Sequence, residues 1–129
     1  MQENISGWVI EEAKTAHFCD KRLGKRFVSL LYCFAKSPDK SIPGACKTWK
    51  ETIAAYRFFN HEEVTEKEIL SPHYDAALER IKKEKMVLIP QDTTEIDFSG
   101  RNSLEGMGYL ENNYSQGFYL HASLALTPE

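Results

Sequence analysis

Residues 86–100, MVLIPQDTTEIDFSG, decide how this chain is read. They open on an apolar run, Met86-Val87-Leu88-Ile89, and turn polar at Gln91, Asp92, Thr93 and Thr94. A short apolar run after a heavily charged helical segment predicts a strand buried on both faces. Asp92 would then stand at the C-terminal end of that strand, where a rigid sheet rim can hold a carboxylate for chemistry. Everything before the run predicts helix, and everything after it predicts β-structure and turns.

Working backwards, the charged tail from Glu79 to Lys85 closes a helix predicted over 65–85, opened by a Thr65/Glu68 capping box. Ile69, Ala76, Leu78 and Ile81 are its apolar positions, and Ser71-Pro72 should break or kink it. Residues 45–60 predict another helix, entered from the turn Ser41-Ile42-Pro43-Gly44. Trp49, Ile53, Tyr56 and Asn60 fall on one of its sides, and Lys47, Lys50, Ala54 and Arg57 form a basic stripe on another. Phe59 reads as core, while Tyr56 reads equally as core or as a stacking surface.

The clearest helix follows Asp20, an N-cap candidate. Leu23, Phe27, Leu30, Leu31 and Phe34 make a core-facing stripe that stops before Ser37-Pro38. Beside that stripe run Arg22, Arg26 and Ser29, with Lys21 and Lys25 in the same two turns. Cations at a helix N-terminus oppose the macrodipole by a few tenths of a kcal/mol each, so four of them suggest a use beyond stability. They form either a solvated face or a set of phosphate contacts. Before them, Trp8, Val9, Ala13 and Ala16 predict a short helix from about Ser6 with Glu11 and Glu12 outward.

Working forwards, Ile96 and Phe98 alternate with Asp97, and Gly100, Gly106, Gly108 and Gly117 mark a long turn region. Residues 118–126, FYLHASLAL, predict a buried strand antiparallel to the first. His121 reads as a satisfied core histidine, and His61 and His73, which lack metal-ligand spacing, as surface residues. The lone Gly106-Met107-Gly108 says nothing about nucleotides.

The 129 residues, 42% hydrophobic and 12% aromatic, suit one ordinary globular domain or a small one plus part of another. No run approaches the ~20 apolar residues of a membrane helix, and no signal pattern opens the chain. Cys19, Cys33 and Cys46 lack C-x-x-C spacing and predict reduced thiols in a cytoplasmic protein. The net charge of −3 conceals an asymmetry: residues 1–60 carry ten Lys+Arg against six Asp+Glu, and residues 61–129 six against thirteen. A basic front half is compatible with a polyanionic partner, although the pI of about 5.8 is not that of a strongly basic nucleic-acid binder.

Several motifs follow one another in a known order. Asp20-x-Arg22-Leu23-x-x-Arg26, Ser41-Ile42-Pro43 and Trp49-Lys50-Glu51-Thr52-x-Ala54-Ala55-Tyr56-Arg57-Phe58-Phe59 resemble the N-terminal domain of bacterial insertion-sequence transposases, the group that includes the transposon-five transposase. Gln91-Asp92-Thr93-Thr94 resembles that family's first catalytic strand. Gly106-x-Gly108-Tyr109-Leu110 and Gly117-x-x-Leu120-His121 resemble the hairpin after it.

The resemblance implies an α+β chain: a helical bundle, helix-turn-helix-like, over 1–84, then the opening β-hairpin of a truncated ribonuclease H-like fold over 85–129. It implies that Arg22, Arg26 and Arg57, with Lys50 and Tyr56, contact double-stranded DNA at the transposon's terminal inverted repeats. Asp92 would be the first acid of a DDE triad that ligates Mg²⁺ or Mn²⁺ for nicking and strand transfer. The family's second aspartate and its glutamate fall beyond Glu129, so this chain alone is expected to hold no metal stably and to lack nuclease activity. It would then be a piece of a longer transposase, or a stand-alone DNA-binding or inhibitory module from a truncated gene. A sheet cut short would also expose apolar faces, which predicts a homodimer, strand exchange or aggregation. A phosphotransferase with Asp92 as nucleophile fits poorly, because Thr94 stands where a second aspartate is wanted. A helical domain with a β-appendage and no DNA role is the plain alternative.

Overall fold

The chain runs through α1 (Gln2–Glu12), α2 (Lys21–Lys36), α3 (Ile42–Ala45), α4 (Trp49–Phe59) and α5 (Glu66–Ile81), then β1 (Gln91–Asp97), β2 (Gly108–Tyr109) and β3 (Gln116–Ser123). The computed structural model describes residues 2–100, 105–112 and 114–128, with side chains from residue 5 onward. Residues 101–104 and 113 of the predicted turn region lie outside that description. The fold is α+β, a set of helices followed by a small antiparallel sheet. It divides into two compact units, Met1–Arg80 and Ile81–Glu129.

In the first unit, α2 begins where Asp20 caps it: the carboxylate accepts from the Arg22 N–H at 2.7 Å. Such a cap contributes about 1 kcal/mol by satisfying a donor the helix cannot. The predicted stripe faces inward. Phe27 and Leu30 are buried, and Leu23, Leu31 and Phe34 pack against the core from its margin. Cys46, Ala55, Phe58 and Val64 complete that core. Phe18 sits among it, its ring centroid 5.3 Å from Phe27 and 5.7 Å from Phe58, within the range where tilted ring pairs attract. All three cysteines are free thiols.

Several expectations are corrected by specific contacts. The helix predicted over 45–60 starts only at Trp49, as α4, and Ala45 instead ends the short α3 that replaces the predicted turn at 41–44. A reciprocal capping box sets that start: Glu51 N–H donates to Thr48 Oγ1 at 3.2 Å, and Thr48 N–H donates to Glu51 Oε2 at 3.0 Å. The buried side of α4 is Thr52, Ala55 and Phe58; of the predicted grouping, Trp49, Tyr56 and Asn60 are exposed and Ile53 is half-buried. Phe59 is exposed on one side and stacks on Phe34 at 6.5 Å. α5 ends at Ile81 and runs through Pro72 without a break. At its start the Glu68 carboxylate accepts from both the N–H and the hydroxyl of Thr65.

Glu12, expected to point outward, is 2% exposed. Its Oε2 lies 2.6 Å from His73 Nδ1, and its Oε1 accepts from Arg80 at 2.5 Å. His73, expected at the surface, is half-buried between this carboxylate and the Phe27 ring, 6.0 Å away. Thr15 donates to Asp75 at 2.7 Å. α5 buries only Pro72 completely, and these polar links tie it to α1 and the segment after it, beside the packing of Ile69 against the core.

In the second unit the strand is displaced from its predicted place. The apolar run 86–89 forms only an isolated bridge, Leu88 to Leu126, and Met86, Leu88 and Ile89 are exposed. The ladder begins after Pro90, which has no N–H to give. Asp92 is therefore the second residue of β1, not the last of a preceding buried strand. β3 is the middle strand in the order β1-β3-β2, antiparallel to both neighbours. The antiparallel pairing expected of 118–126 is present, over Gln116–Ser123, but its side chains are largely exposed and not buried. His121 is exposed too, its Nδ1 2.6 Å from Thr93 Oγ1, so it is no core histidine.

Gly117 has a steric duty in this sheet. It pairs with Asp97 on one side and Gly108 on the other. A Cβ there would stand 2.0 Å from the carbonyl oxygen of Ile96. Glycine is what lets β1 come this close.

Candidate nucleic-acid interface

α2 and α4 are both core helices, and they flank a cleft of about 340 Å³ at the margin of the core. Arg22, Leu23 and Arg26 line it from α2, with Asp20 at that helix's N-cap, and Ala54, Arg57 and Phe58 from α4, with His61 just beyond its end. Leu23 and Phe58 belong to the core or its margin. Arg22 and Arg57 are their immediate neighbours in sequence, and Arg26 and Ala54 stand three and four residues from them on the same helices.

Three of the five residues expected to meet DNA, Arg22, Arg26 and Arg57, are thus brought together from two separate helices. Lys50 lies one turn before Ala54 on the same stripe, exposed and outside the lining. Tyr56 is exposed on α4 and also outside it. Lys21 and Lys25 are exposed beyond the cleft.

Two lining groups, Asp20 and His61, have places in the cleft that the sequence reading did not assign to them. Asp20 does more than cap: Arg22 donates to it through Nε at 2.9 Å and Nη2 at 2.7 Å. The pair fixes one edge of the guanidinium, yet the Arg22 side chain remains 90% exposed. Those hydrogen bonds hold the Asp20 carboxyl below its ordinary range. His61 closes the cleft's other end, with Nδ1 accepting from the Glu63 N–H at 3.2 Å. Its proton, when the ring is neutral, is then on Nε2. The Asp20-x-Arg22 spacing was a readable signal for the first; nothing local pointed to the second.

Asp92 lies in the other unit, exposed on β1. Its register partner is Ala122, and the same sheet face carries Thr94 and Leu120. Glu95 and Asp97 alternate to the opposite face. Among the described residues no group of three or more His, Cys, Asp or Glu side chains could hold a metal ion. A divalent magnesium or manganese site wants several hard oxygen ligands, so Asp92 with these neighbours does not fit one by itself.

Residues 5–64 match a protein-family model described as transposase DNA-binding. The matched segment is a little under half of the chain, and it contains α2, α4 and every residue of the cleft. It stops short of α5 and of the sheet. No curated protein matches the chain. The match supports a transposase N-terminal region with DNA as its partner.

Proposed function

We propose that this chain is the end-binding part of a bacterial insertion-sequence transposase of the DDE class, acting in the cytoplasm on the terminal inverted repeats of its element. The observation that carries the reading is the convergence of Arg22, Arg26 and Arg57 on one cleft inside the matched segment. Guanidinium groups on two rigid helices offer planar forks to successive phosphates, and such contacts fix a protein's register on a duplex. Lys50 adds a point charge along the same stripe. Asp92 is read as the first acid of a DDE site on a ribonuclease H-like sheet, where a divalent ion would need further carboxylates beside it.

The test is a salt titration of binding to duplexes carrying the element's terminal repeat or a scrambled sequence. Wild type should prefer the repeat. Arg26→Ala and Arg57→Ala should each weaken both duplexes and reduce the slope of log affinity against log salt by about 0.9 per lost phosphate contact. Binding with no salt dependence in the wild type would leave the arginines as a solvated face and end the DNA reading of the cleft.

A further inference from the structure

Trp49 is 75% exposed in the first turn of α4, although the same helix buries Phe58 near its other end. Tyr56 is exposed on the same side, two turns along. At about 100° per residue, Trp49, Ile53 and Tyr56 fall within about 60° of one another, with Lys50 and Arg57 next around the helix. Thr52, Ala55 and Phe58, the buried positions, centre about 130° away around the helix, with Thr52 nearest the aromatic residues. α4 therefore presents an aromatic stripe and a cationic stripe together on its solvent face. An apolar partner surface would meet the second stripe at a cost, whereas a polyanion with flat apolar bases meets both.

We propose that Trp49 and Tyr56 are the base-contacting residues of a duplex-DNA interface, with α4 lying in the major groove and the cleft arginines holding phosphates beside it. This rests on the DNA reading above and assigns its sequence-reading part. The major groove, about 12 Å wide, admits a helix, and residues near the N-terminus of a recognition helix are those that reach base edges. The Trp49 indole N–H can donate to a purine N7 or a carbonyl oxygen while its ring meets a thymine methyl. The Tyr56 hydroxyl can donate or accept. The positive end of the α4 dipole and Lys50 favour the approach of phosphate at that same end.

Fluorescence anisotropy with repeat and scrambled duplexes tests the assignment on the full chain. Trp49→Ala should lower the ratio of repeat to scrambled affinity by about tenfold, with the salt slope unchanged and the melting temperature kept. Trp49→Phe, which retains a ring but no N–H, should lose part of that ratio. Arg57→Ala should instead lower both affinities together and flatten the slope. In a Trp8→Phe background, emission from Trp49 should change on adding the repeat. An unchanged ratio in both Trp49 variants, or an equal loss on both duplexes, overturns the inference and leaves the DNA reading standing. Tighter binding to single strands than to the duplex overturns the groove placement. Loss of salt dependence in the wild type would bring down the DNA reading itself.

Discussion

Two carboxylates of the first unit have opposite fates. Asp20 remains near water and is held in its ionised form chiefly by the Arg22 side chain, then by the Arg22 N–H it caps. Because its folded pKa lies below the ordinary value of 3.8, its contribution to stability is complete above that value and lost as pH falls through the folded pKa. Asp20→Asn keeps a capping oxygen but loses the charge. The stability gap between wild type and Asp20→Asn, followed by thermal melting, should therefore be open at pH 6 and close below pH ~4, the Asp range in unfolded chains. Glu12, by contrast, is withdrawn from water at the C-terminal end of α1, and burying a polar group is costly unless it is hydrogen-bonded. Its hydrogen bonds to His73 and Arg80 offset that cost. Glu12→Gln should destabilise the unit by about 1–3 kcal/mol, with amide exchange rising first in α5. Arg80→Gln should cost less, because Arg80 is 55% exposed and His73 keeps one oxygen occupied. Equal losses for the two would mean the carboxylate is not the centre of the link.

At the level of elements, Gly117 invites the sharpest test. Alanine there puts a methyl against the backbone of Ile96, an atom that cannot swing aside. Gly117→Ala should part β1 from β3 near Asp97, at a cost of about 1–3 kcal/mol typical of overpacking. Loss of slow-exchanging amides in β1, with α2 and α4 unchanged, would show it; intact β1 protection would mean the ladder yields cheaply. The elements also show what local pattern can and cannot supply. α2 was legible throughout, since its cap, stripe and proline stop are local features that all agree. The true start of α4 was legible too, in Thr48-x-x-Glu51, but the turn at Ser41–Gly44 drew the boundary earlier. Periodicity grouped Trp49 with Ile53 and Tyr56 correctly without saying which side met the core. The burial of Glu12 had no local signal, because its partners lie 61 and 68 residues away. The same holds for the cleft: Arg22, Arg26 and Arg57 were nameable singly, and only the packing of two helices brings them together.

Over the whole molecule, the sheet's two faces differ in a way that reaches beyond the fold. Side chains directly opposed in an antiparallel pair share a face. Leu120 with Thr94, Phe118 with Ile96, and the Leu88–Leu126 bridge therefore align on the side that also carries Asp92. Leu120 is 50% exposed there, and Phe118, Leu88 and Leu126 are also in contact with water. The other face carries Thr93, Glu95, Asp97, Tyr119 and His121. An apolar strip of this kind, next to β1 as an edge strand of the sheet among the described residues, favours association. Light scattering should show mass rising with concentration, and added salt should not reverse it, because an apolar contact is not screened. Leu120→Lys should suppress the rise while leaving DNA affinity as it is, since the cleft and α4 belong to the other unit. A constant monomer mass at high concentration would show that charge at Asp92, Glu95 and Asp97 along β1 is enough to keep two copies apart. The alternation of Asp92 into the apolar face would then act as the guard on that edge.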